Sequence, residues 1–241
     1  MSRLLNILSI ILFVALLTPS SGYSLDGQAQ TFREVKQQAK AIWQDHRITF
    51  YCGCTFNKQM SVNHASCGYQ PLDRQRAKRV EWEHLVPVSW FGHQRPCWRE
   101  PLCKNKKGKY YYGRDCCEKI DPEFRKMYFD LHNLVPAIGE VNKARQNYRF
   151  VDLHLQKKYF QGCELYINDD LRIVVPKDKL KGVIARAHLY MAKQYGFKLS
   201  RAQRTLFKKW HRQYPPSNWE KQWNQRVRIV QGTDNTYISR F

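Results

Sequence analysis

Apolar side chains recur every three or four residues in three segments of the chain. This spacing places them on one face of a helix, so each segment is predicted to form an amphipathic helix that packs on a core. The three sets are Phe32, Val35, Ala39, Ile42 and Trp43, then Leu180, Val183, Ile184, Ala187 and Met191, and last Trp219, Trp223, Val227 and Val230. Core packing, rather than ligand contact, is the expected role of these side chains, including the tryptophans.

Capping residues mark the ends of several predicted helices. The run Asp121-Pro122-Glu123 is typical of a helix start, because Asp accepts from the first free amides and Pro tolerates the first helical position. Pro136 is predicted to open a further helix that runs to Arg145. Two capping boxes and one C-terminal cap are indicated by Ser200 with Gln203, Ser217 with Glu220, and Gly232.

β-Branched and aromatic residues predict three short strands. Residues 49–56 form one, and residues 163–167 and 172–175 form the two arms of a hairpin that turns at 168–170. Together with the helices, these strands predict an α+β fold, a mixed and mostly helical single domain. No internal repeat or low-complexity linker divides it.

The first 24 residues have the layout of a secretory signal. Arg3 is followed by an apolar run over residues 4–17 and then by small residues. The run is about 14 residues long, shorter than the roughly 20 that a membrane-spanning helix needs. Residues 1–24 are therefore predicted to be a signal peptide and residues 25–241 the mature domain, which is exported to the periplasm or the medium and has no membrane contact after signal cleavage.

The chain has eight cysteines, an even number that suits disulfides in an oxidising compartment. Four bridges are expected, and the sequence leaves about 105 pairings open. A structural zinc site fits less well, because Cys52-Gly53-Cys54 and the adjacent Cys116 and Cys117 lack the two-residue spacer common in zinc sites. The remaining cysteines are Cys67, Cys97, Cys103 and Cys163.

Basic residues outnumber acidic ones by 41 to 20, which gives a formal net charge of +21. A positive field of this size favours a polyanionic partner, which means nucleic acid, anionic polysaccharide or anionic membrane. It argues against a cytosolic metabolic enzyme. The composition also argues against intrinsic disorder, because 43% of the residues are hydrophobic and 14% aromatic, enough to build a core.

Two segments carry groups suited to phosphodiester hydrolysis. They read EWEHLVP at residues 81–87 and DLHNLVP at 130–136, the second followed by GEVN at 139–142. Both place polar groups inside apolar runs, where an unpartnered polar group is costly. Hydrolysis needs a base that deprotonates water, and a neutral imidazole can serve. It also needs positive charge at the phosphate, and Mg²⁺ can be held by one carboxylate and one amide oxygen.

These segments, together with FGHQR at 91–95 and DPEF at 121–124, closely resemble the bacterial endonuclease I family. LSR at 199–201, WE at 219–220 and VQG at 230–232 extend the resemblance over nearly the whole mature chain. The family consists of exported, non-specific nucleases with a ββα-metal, or His-Me finger, active site. The resemblance implies an endonuclease that acts on DNA, and also on RNA, and leaves 5′-phosphate ends.

The resemblance also implies roles for individual residues. His84 matches the catalytic general base, Glu83 the carboxylate ligand of a single Mg²⁺, and Asn142 its amide ligand, with Mn²⁺ or Ca²⁺ able to substitute in binding. Arg114 matches the catalytic arginine that contacts the scissile phosphate and steadies the leaving group. The alternatives that stay open are Glu81 for Glu83, and Arg95 or Arg99 for Arg114.

Further side chains are predicted to bind substrate or to support the site. Arg145 and Arg149 lie three and seven residues after Asn142, at helical spacing, and suit contacts with backbone phosphates. The run KNKKGKYYY at 104–112 offers lysines for phosphates and tyrosines for stacking on unpaired bases, with a plain solvated loop as an equal alternative. His132 and Asn133 are expected to buttress the site by hydrogen bonding. The full set of predicted substrate-binding residues is Arg95, Arg99, Arg145, Arg149, Lys106 and Lys107.

The sequence therefore predicts an exported, disulfide-bonded, Mg²⁺-dependent endonuclease that acts as a monomer on DNA and RNA without base specificity. The main alternative is a non-catalytic cationic protein that binds nucleic acid or glycans. A binding protein has no need of Glu83, His84 and Asn142 together, so this set discriminates between the two hypotheses.

Overall fold

The computed structural model describes residues 31–154 and 159–241, and the predicted signal peptide lies outside them. The fold is a mixed α and β domain, as predicted. Its helices are α1 (Phe32–Ile42), α2 (Arg74–Ala77), α3 (Val88–Gly92), α4 (Pro96–Arg99), α5 (Arg114–Ile120), α6 (Pro122–Tyr128), α7 (Gly139–Arg145), α8 (Asp178–Tyr195), α9 (Arg201–Gln213), α10 (Asn218–Gln231) and α11 (Thr236–Ser239). Its strands are β1 (Val80–His84), β2 (Cys103–Lys104), β3 (Tyr110–Tyr111), β4 (Leu134–Ile138), β5 (Arg149–Phe150), β6 (Leu165–Asn168) and β7 (Ile173–Pro176).

The strands that carry the two sequence motifs pair with each other. β1 and β4 run antiparallel, with Glu83 opposite Val135. α7 starts directly after β4 and packs on both strands. Gly139 allows close approach to both β1 and α2, because a Cβ at that position would lie 3.0 Å from the Glu81 carboxylate and 2.8 Å from the carbonyl oxygen of Arg76. Two antiparallel strands and the helix that follows them thus form one packed unit.

The helix predicted to open at Pro136 begins three residues later, so that prediction is wrong in its start. Residues Leu134–Ile138 form β4 and pair with β1, with Trp82 opposite Pro136. A proline lacks the amide donor that a central strand needs, but this sheet has only two strands among the described residues, and an edge position tolerates it. The predicted end of the helix at Arg145 is confirmed.

The strand predicted over residues 49–56 is also wrong, because the segment closes into a loop. The amide of Thr49 donates to the carbonyl of Cys54 at 2.8 Å, and the Thr49 hydroxyl accepts from the Cys54 amide at 2.9 Å. Gly53 turns the chain with φ +77°, which a β-branched or aromatic residue would rarely adopt. The composition of the segment is typical of a strand, but the turn at Gly53 overrides it.

The hairpin predicted after Cys163 is confirmed with slightly shifted bounds. β6 and β7 pair antiparallel, and β5 joins β7 in parallel to complete a three-stranded sheet. β2 and β3 form a separate hairpin that contains the lysine-rich and tyrosine-rich run.

The predicted long helices and their cap residues are confirmed, but the two predicted capping boxes are only half formed, because Glu220 pairs with Arg186 and Oε1 of Gln203 has no hydrogen-bond partner among the described residues. Ser200 and Ser217 accept from the amides of Gln203 and Glu220 at 3.2 and 3.1 Å, at the starts of α9 and α10. Gly232 ends α10 in the left-handed conformation with φ +81°. The apolar stripes of α1, α8 and α10 face a core whose largest buried side chains include Trp210, Phe91, Phe124, Phe150 and Phe207.

All eight cysteines form disulfides, as predicted, and none is free. The pairs that the sequence left open are Cys52–Cys163, Cys54–Cys67, Cys97–Cys117 and Cys103–Cys116. These bridges tie together the part of the molecule in which helices and strands are short.

Within residues 31–154 and 159–241, no helix combines the length and the apolar character that a membrane crossing requires.

Candidate active site

Most of β1, the start of α5 and the second half of α7 line a cavity of about 470 Å³. Aromatic side chains form part of its wall, and charged or polar groups form much of the rest. The charged and polar residues of the lining include Arg76, Glu81, Glu83, His84, Arg114, Asn142 and Arg145. Four residues predicted to act in catalysis or metal binding, Glu83, His84, Arg114 and Asn142, are therefore brought together in one place.

His84 has one ring nitrogen fixed by the protein. Its Nε2 lies 2.9 Å from the carbonyl oxygen of Tyr128, and a carbonyl can only accept, so Nε2 carries the hydrogen. The neutral ring therefore has its lone pair on Nδ1. The ring packs against the rings of Phe32 and Tyr128 at centroid distances of 5.6 and 5.2 Å.

Burial, together with the charges of Arg114 and Arg145, lowers the pKa of His84 to about 3, although the hydrogen bond to the Tyr128 carbonyl acts in the opposite direction. The imidazole is therefore uncharged near neutral pH, the state that a general base requires. It keeps 9% of its surface exposed, which leaves it within reach of water from the cavity.

Glu83 is buried, and its two carboxylate oxygens differ. Oε1 accepts from the hydroxyl of Tyr51 at 3.0 Å and lies 3.0 Å from Nη1 of Arg145. Among the described residues, both side chains that contact the carboxylate, Tyr51 and Arg145, do so at Oε1 and not at Oε2. Burial raises the pKa of Glu83 to about 7, although Arg145 and the Tyr51 hydrogen bond both lower it. One oxygen is thus anchored by the protein and the other is available to a ligand.

Asn142 has its amide oriented by the second carboxylate of β1. Nδ2 of Asn142 donates to Oε2 of Glu81 at 3.1 Å, which leaves Oδ1 as the unpaired acceptor. Glu81 is itself held by Arg76 and Arg79, at 2.9 and 3.0 Å. Alternation along a strand puts residues 81 and 83 on one face, and the structure gives them different partners there.

Of the three arginines that line the cavity with His84, Arg114 is the exposed one. It is the first residue of α5, and its guanidinium lies 5.6 Å from the ring centroid of Tyr128. Of its rivals, Arg95 pairs with Asp121 at 2.6 Å, and so holds the start of α6, whereas Arg99 is exposed at the end of α4. Neither Arg95 nor Arg99 lines the cavity.

Arg145 lies under the cavity with only 1% of its surface exposed. Besides Glu83, it donates to the carbonyl oxygens of His84 and Leu85 at 2.9 and 2.5 Å, and its guanidinium lies 4.7 Å from the ring of Phe150. A phosphate contact from Arg145 stays a prediction. The geometry favours a different role, in which this side chain positions Glu83 and the end of β1.

The remaining predicted substrate contacts lie outside the lining of the cavity. Arg149 is exposed on β5, and Lys106 and Lys107 are exposed in the turn between β2 and β3. Their contacts with nucleic acid stay predictions.

His132 and Asn133 are both fully buried where β4 begins. The side-chain amide of Asn133 makes two hydrogen bonds to the backbone of Val86, accepting at 2.7 Å and donating at 3.1 Å. Nε2 of His132 lies 3.0 Å from the carbonyl oxygen of Thr233, and the ring packs against Tyr190. These contacts connect the end of β1 to β4 and to the C-terminal helices.

Sequence reasoning missed the residues that orient the site. Tyr51 lies 32 positions before Glu83, Glu81 was considered only as a rival ligand, and Tyr128 acts through its backbone carbonyl. None of them stands in a pattern that signals such a partner. The loop at Cys52 and Cys54 was visible as a cysteine cluster, but nothing in it indicated that Tyr51 turns towards the cavity.

Two unpaired oxygens, Oε2 of Glu83 and Oδ1 of Asn142, are the groups in the cavity that suit a cation. Within the described residues, no three His, Cys, Asp or Glu side chains are grouped so as to hold a metal ion. A hard cation such as Mg²⁺ often takes few protein oxygens and keeps several waters, so one carboxylate and one amide fit it.

The sequence is similar to known nucleases over most of its length. The profile of the family described as Endonuclease I matches residues 22–240. An extracellular deoxyribonuclease of Aeromonas hydrophila is 45% identical over 222 residues, which cover 90% of this chain and 92% of that protein. A periplasmic deoxyribonuclease of the same organism is 44% identical over 88% of this chain and 87% of its own length. Endonuclease-1 of Buchnera aphidicola subsp. Acyrthosiphon pisum (strain APS) is 37% identical over 87% and 80%.

Proposed function

The chain belongs to the endonuclease I family, and from this premise we propose that it is an exported, Mg²⁺-dependent endonuclease with His84 as general base. Its substrates are DNA and RNA, cut without base specificity, and its products carry 5′-phosphate ends. The observation that carries the proposal is the cavity in which Glu83, His84, Asn142 and Arg114 meet.

His84 activates water in this mechanism. Its Nδ1 accepts a proton while the water oxygen bonds to phosphorus, and the bond between phosphorus and the 3′ oxygen breaks. Because the Tyr128 carbonyl fixes the hydrogen on Nε2, the ring presents its lone pair on Nδ1 without having to change tautomer. The phosphate stays on the 5′ side, and the departing 3′ oxygen takes a proton from solvent.

Arg114 neutralises charge on the non-bridging phosphate oxygens. It is exposed at the cavity mouth, so a phosphate in front of His84 can reach it. Arg145 holds the backbone at His84 and Leu85 and thereby keeps the base in place. An arginine is suited to each task, because its planar guanidinium offers several donors in a fixed geometry.

Oε2 of Glu83 and Oδ1 of Asn142 would hold the Mg²⁺ ion. When bound, the ion supplies positive charge that stabilises the phosphate and the departing 3′ oxygen. Tyr51 and Arg145 fix the Glu83 carboxylate through its other oxygen, and Glu81 fixes the Asn142 amide. The two oxygens are thus oriented by the protein before any ligand arrives.

Cleavage of RNA follows from the same chemistry, because no step uses the sugar 2′-hydroxyl. Export is supported by the four disulfides and by the names of the relatives, which are extracellular or periplasmic deoxyribonucleases. The protein acts as a monomer in this proposal, since one chain supplies every group named.

The test is to incubate the purified protein with supercoiled plasmid and with structured RNA, in Mg²⁺ and in EDTA. Both substrates should be cut only in Mg²⁺, and the plasmid products should be religated by DNA ligase without prior phosphorylation. His84→Ala should lose about 10² to 10⁴ fold in rate. The exposed His154 serves as the control, because His154→Ala leaves the cavity intact.

Metal binding is measured separately by titrating Mn²⁺ with paramagnetic resonance detection. Glu83→Gln should weaken binding, whereas Glu123→Gln, at an exposed glutamate of α6, should not. Full cleavage in EDTA would contradict the metal, and normal cleavage by His84→Ala would contradict the base.

A further inference from the structure

The segment 103–112, here called the lysine–tyrosine hairpin, is a basic and aromatic surface next to the cavity. It consists of β2, the turn after it, β3 and Tyr112. Tyr110 and Tyr112 are 57% and 64% exposed, whereas Tyr111 between them packs against the core. The lysines, all exposed, are Lys104, Lys106, Lys107 and Lys109.

The turn of the hairpin is held in one conformation by its own hydrogen bonds. The side-chain oxygen of Asn105 accepts from the amides of Lys107 and Lys109 at 2.9 and 3.0 Å. The amide of Asn105 also donates to the carbonyl of Lys109 at 3.0 Å, and Gly108 supplies the positive φ that the turn needs. An ordered surface loses less entropy on binding than a flexible loop does.

One disulfide joins the hairpin to the helix that begins with Arg114. Cys103, on β2, is bonded to Cys116 in α5. The amide of Gly113 donates to the carbonyl of Cys97 at 3.0 Å, which fixes the link between Tyr112 and Arg114. Tyr112 precedes Arg114 by two residues, and so lies within about 7 Å of it along extended chain.

The hairpin places stacking faces and positive charge side by side. Nζ of Lys104 lies 4.5 Å from the ring centroid of Tyr110. A nucleotide with an unpaired base presents the complementary pair, a flat π face and a phosphate. Bases inside a duplex are already stacked on each other, so an exposed tyrosine gains a stacking partner only where the strand is unpaired.

We propose that the lysine–tyrosine hairpin binds an unpaired stretch of DNA next to the bond being cut, with Tyr110 and Tyr112 stacked on bases and the lysines on phosphates. The proposal rests on the proposed function, because the hairpin adjoins the cavity assigned to hydrolysis. It predicts that the protein binds single-stranded or locally melted DNA more tightly than duplex DNA, and that the hairpin is the source of this difference in affinity.

The experiment measures binding of a fluorescent oligothymidine and of a duplex of equal length by anisotropy in EDTA, so that no cleavage is needed. Tyr110→Ala combined with Tyr112→Ala should weaken binding of the single strand by about 30-fold or more, the loss of two stacked bases at the lower end of their range. The ratio of single-strand to duplex affinity should fall at least fivefold. The matched control, Tyr110→Phe with Tyr112→Phe, keeps both rings and should keep that ratio.

The lysines give a second readout. Lys106→Gln with Lys107→Gln should weaken binding of both DNA forms and reduce the slope of log affinity against log salt by about 1.4 for the single strand. Lys208→Gln, at an exposed position of α9, is the control for charge alone.

The proposal would be overturned if the double alanine variant kept the ratio of single-strand to duplex affinity, whether both affinities stayed the same or both fell equally. A loss that depends on the lysines but not on the rings would instead indicate a general polyanion surface. Failure of the proposed function looks different, since it shows as absent cleavage by the unmodified protein in Mg²⁺ while the binding measurement still reports on the hairpin.

Discussion

The part of the molecule that carries the cysteines and the part formed by the C-terminal helices are held together in different ways. Between residues 49 and 163 the helices α2 to α7 have only four to seven residues each, and four disulfides connect them and their loops. The C-terminal helices α8, α9 and α10 have 18, 13 and 14 residues and no cysteine.

The difference follows from how much apolar surface each part can bury. Long amphipathic helices pack Phe207, Trp210 and Trp223 into a core, and a buried ion pair between Arg186 and Glu220 joins α8 to α10. Short elements bury less per residue, and covalent bridges compensate by restricting the unfolded chain. The candidate active-site cavity lies in the bridged part, where disulfides can fix the loops although the helices are short.

The largest predicted effect comes from breaking the longest bridge. Cys52→Ala with Cys163→Ala opens a loop of 111 residues and should lower the free energy of unfolding by about 4.7 kcal/mol in the chain-entropy account. Cys103→Ala with Cys116→Ala, with a separation of 13, should lose about 3 kcal/mol. Urea unfolding measures both. Equal losses would show that native contacts, rather than loop length, set the contribution of these bridges.

In the helical part, stability should be most sensitive to the loss of a partner from the buried ion pair. Arg186 and Glu220 are 1% and 2% exposed and lie 2.6 Å apart. Arg186→Met leaves Glu220 buried without its partner and should lower the free energy of unfolding by about 3 to 5 kcal/mol. Arg186→Met with Glu220→Leu should recover much of this loss. If the double variant is no more stable than the single one, the unpaired carboxylate is not the cause.

Acid should destabilise the protein through buried histidines in both parts. Burial lowers the pKa of His188 to about 3, as it does for His84, so the folded protein keeps this ring neutral while the unfolded chain protonates it below about 6.5. Its stabilising contribution is present above that pH and is lost as the pH falls towards 3. Between pH 7.5 and 5, His188→Leu should reduce the loss of stability by about 2 kcal/mol.

The check is the free energy of unfolding at several pH values, with His154→Ala as the exposed control. If the free energy of unfolding falls equally with pH in the unmodified protein and in His188→Leu, the pKa of His188 is not lowered by folding.

Two tyrosine hydroxyls give the smallest change in stability and the clearest contrast in function. Tyr51→Phe removes the hydrogen bond to Glu83, and Tyr190→Phe removes the one to Asp130 at 2.9 Å. Each should lower the free energy of unfolding by about 1 kcal/mol. Only Tyr51→Phe should also lower kcat/KM for plasmid cleavage. Equal kinetic losses in both variants would contradict the anchoring role of Tyr51.

Local sequence patterns predicted the helices of the C-terminal part well and the strands of the disulfide-bridged part poorly. The stripe of Trp219, Trp223 and Val227 and the cap at Gly232 specify α10 from its own residues, since helical packing repeats every turn. At Pro136 the same kind of local signal failed, because pairing with a distant β1 decides the conformation. The composition of residues 49–56 misled for a similar reason, as Gly53 sets a turn there.

The candidate site shows the same difference: residues in sequence motifs could be predicted, whereas residues that reach the site through tertiary contacts could not. His84, Glu83 and Asn142 stand in motifs that a family resemblance could match, and the structure brings them to one cavity. Tyr51 and Arg145, which fix one oxygen of Glu83, could not be identified in this role from their neighbours in sequence. Their contact with Glu83 exists only once the disulfide-tied loop and α7 have folded onto β1.

The pairing of the cysteines also bears on the order in which the disulfides can form. In the export proposed above, the chain emerges from its N-terminus, so Cys52 arrives first and its native partner Cys163 arrives last of the eight. Bonding in order of arrival would join Cys52 to Cys54, and the native set is reached only if oxidation waits or wrong bonds are exchanged. Since Tyr51 and Cys52 are neighbours, we expect the carboxylate anchor at Glu83 to be completed only after about two thirds of the polypeptide has emerged.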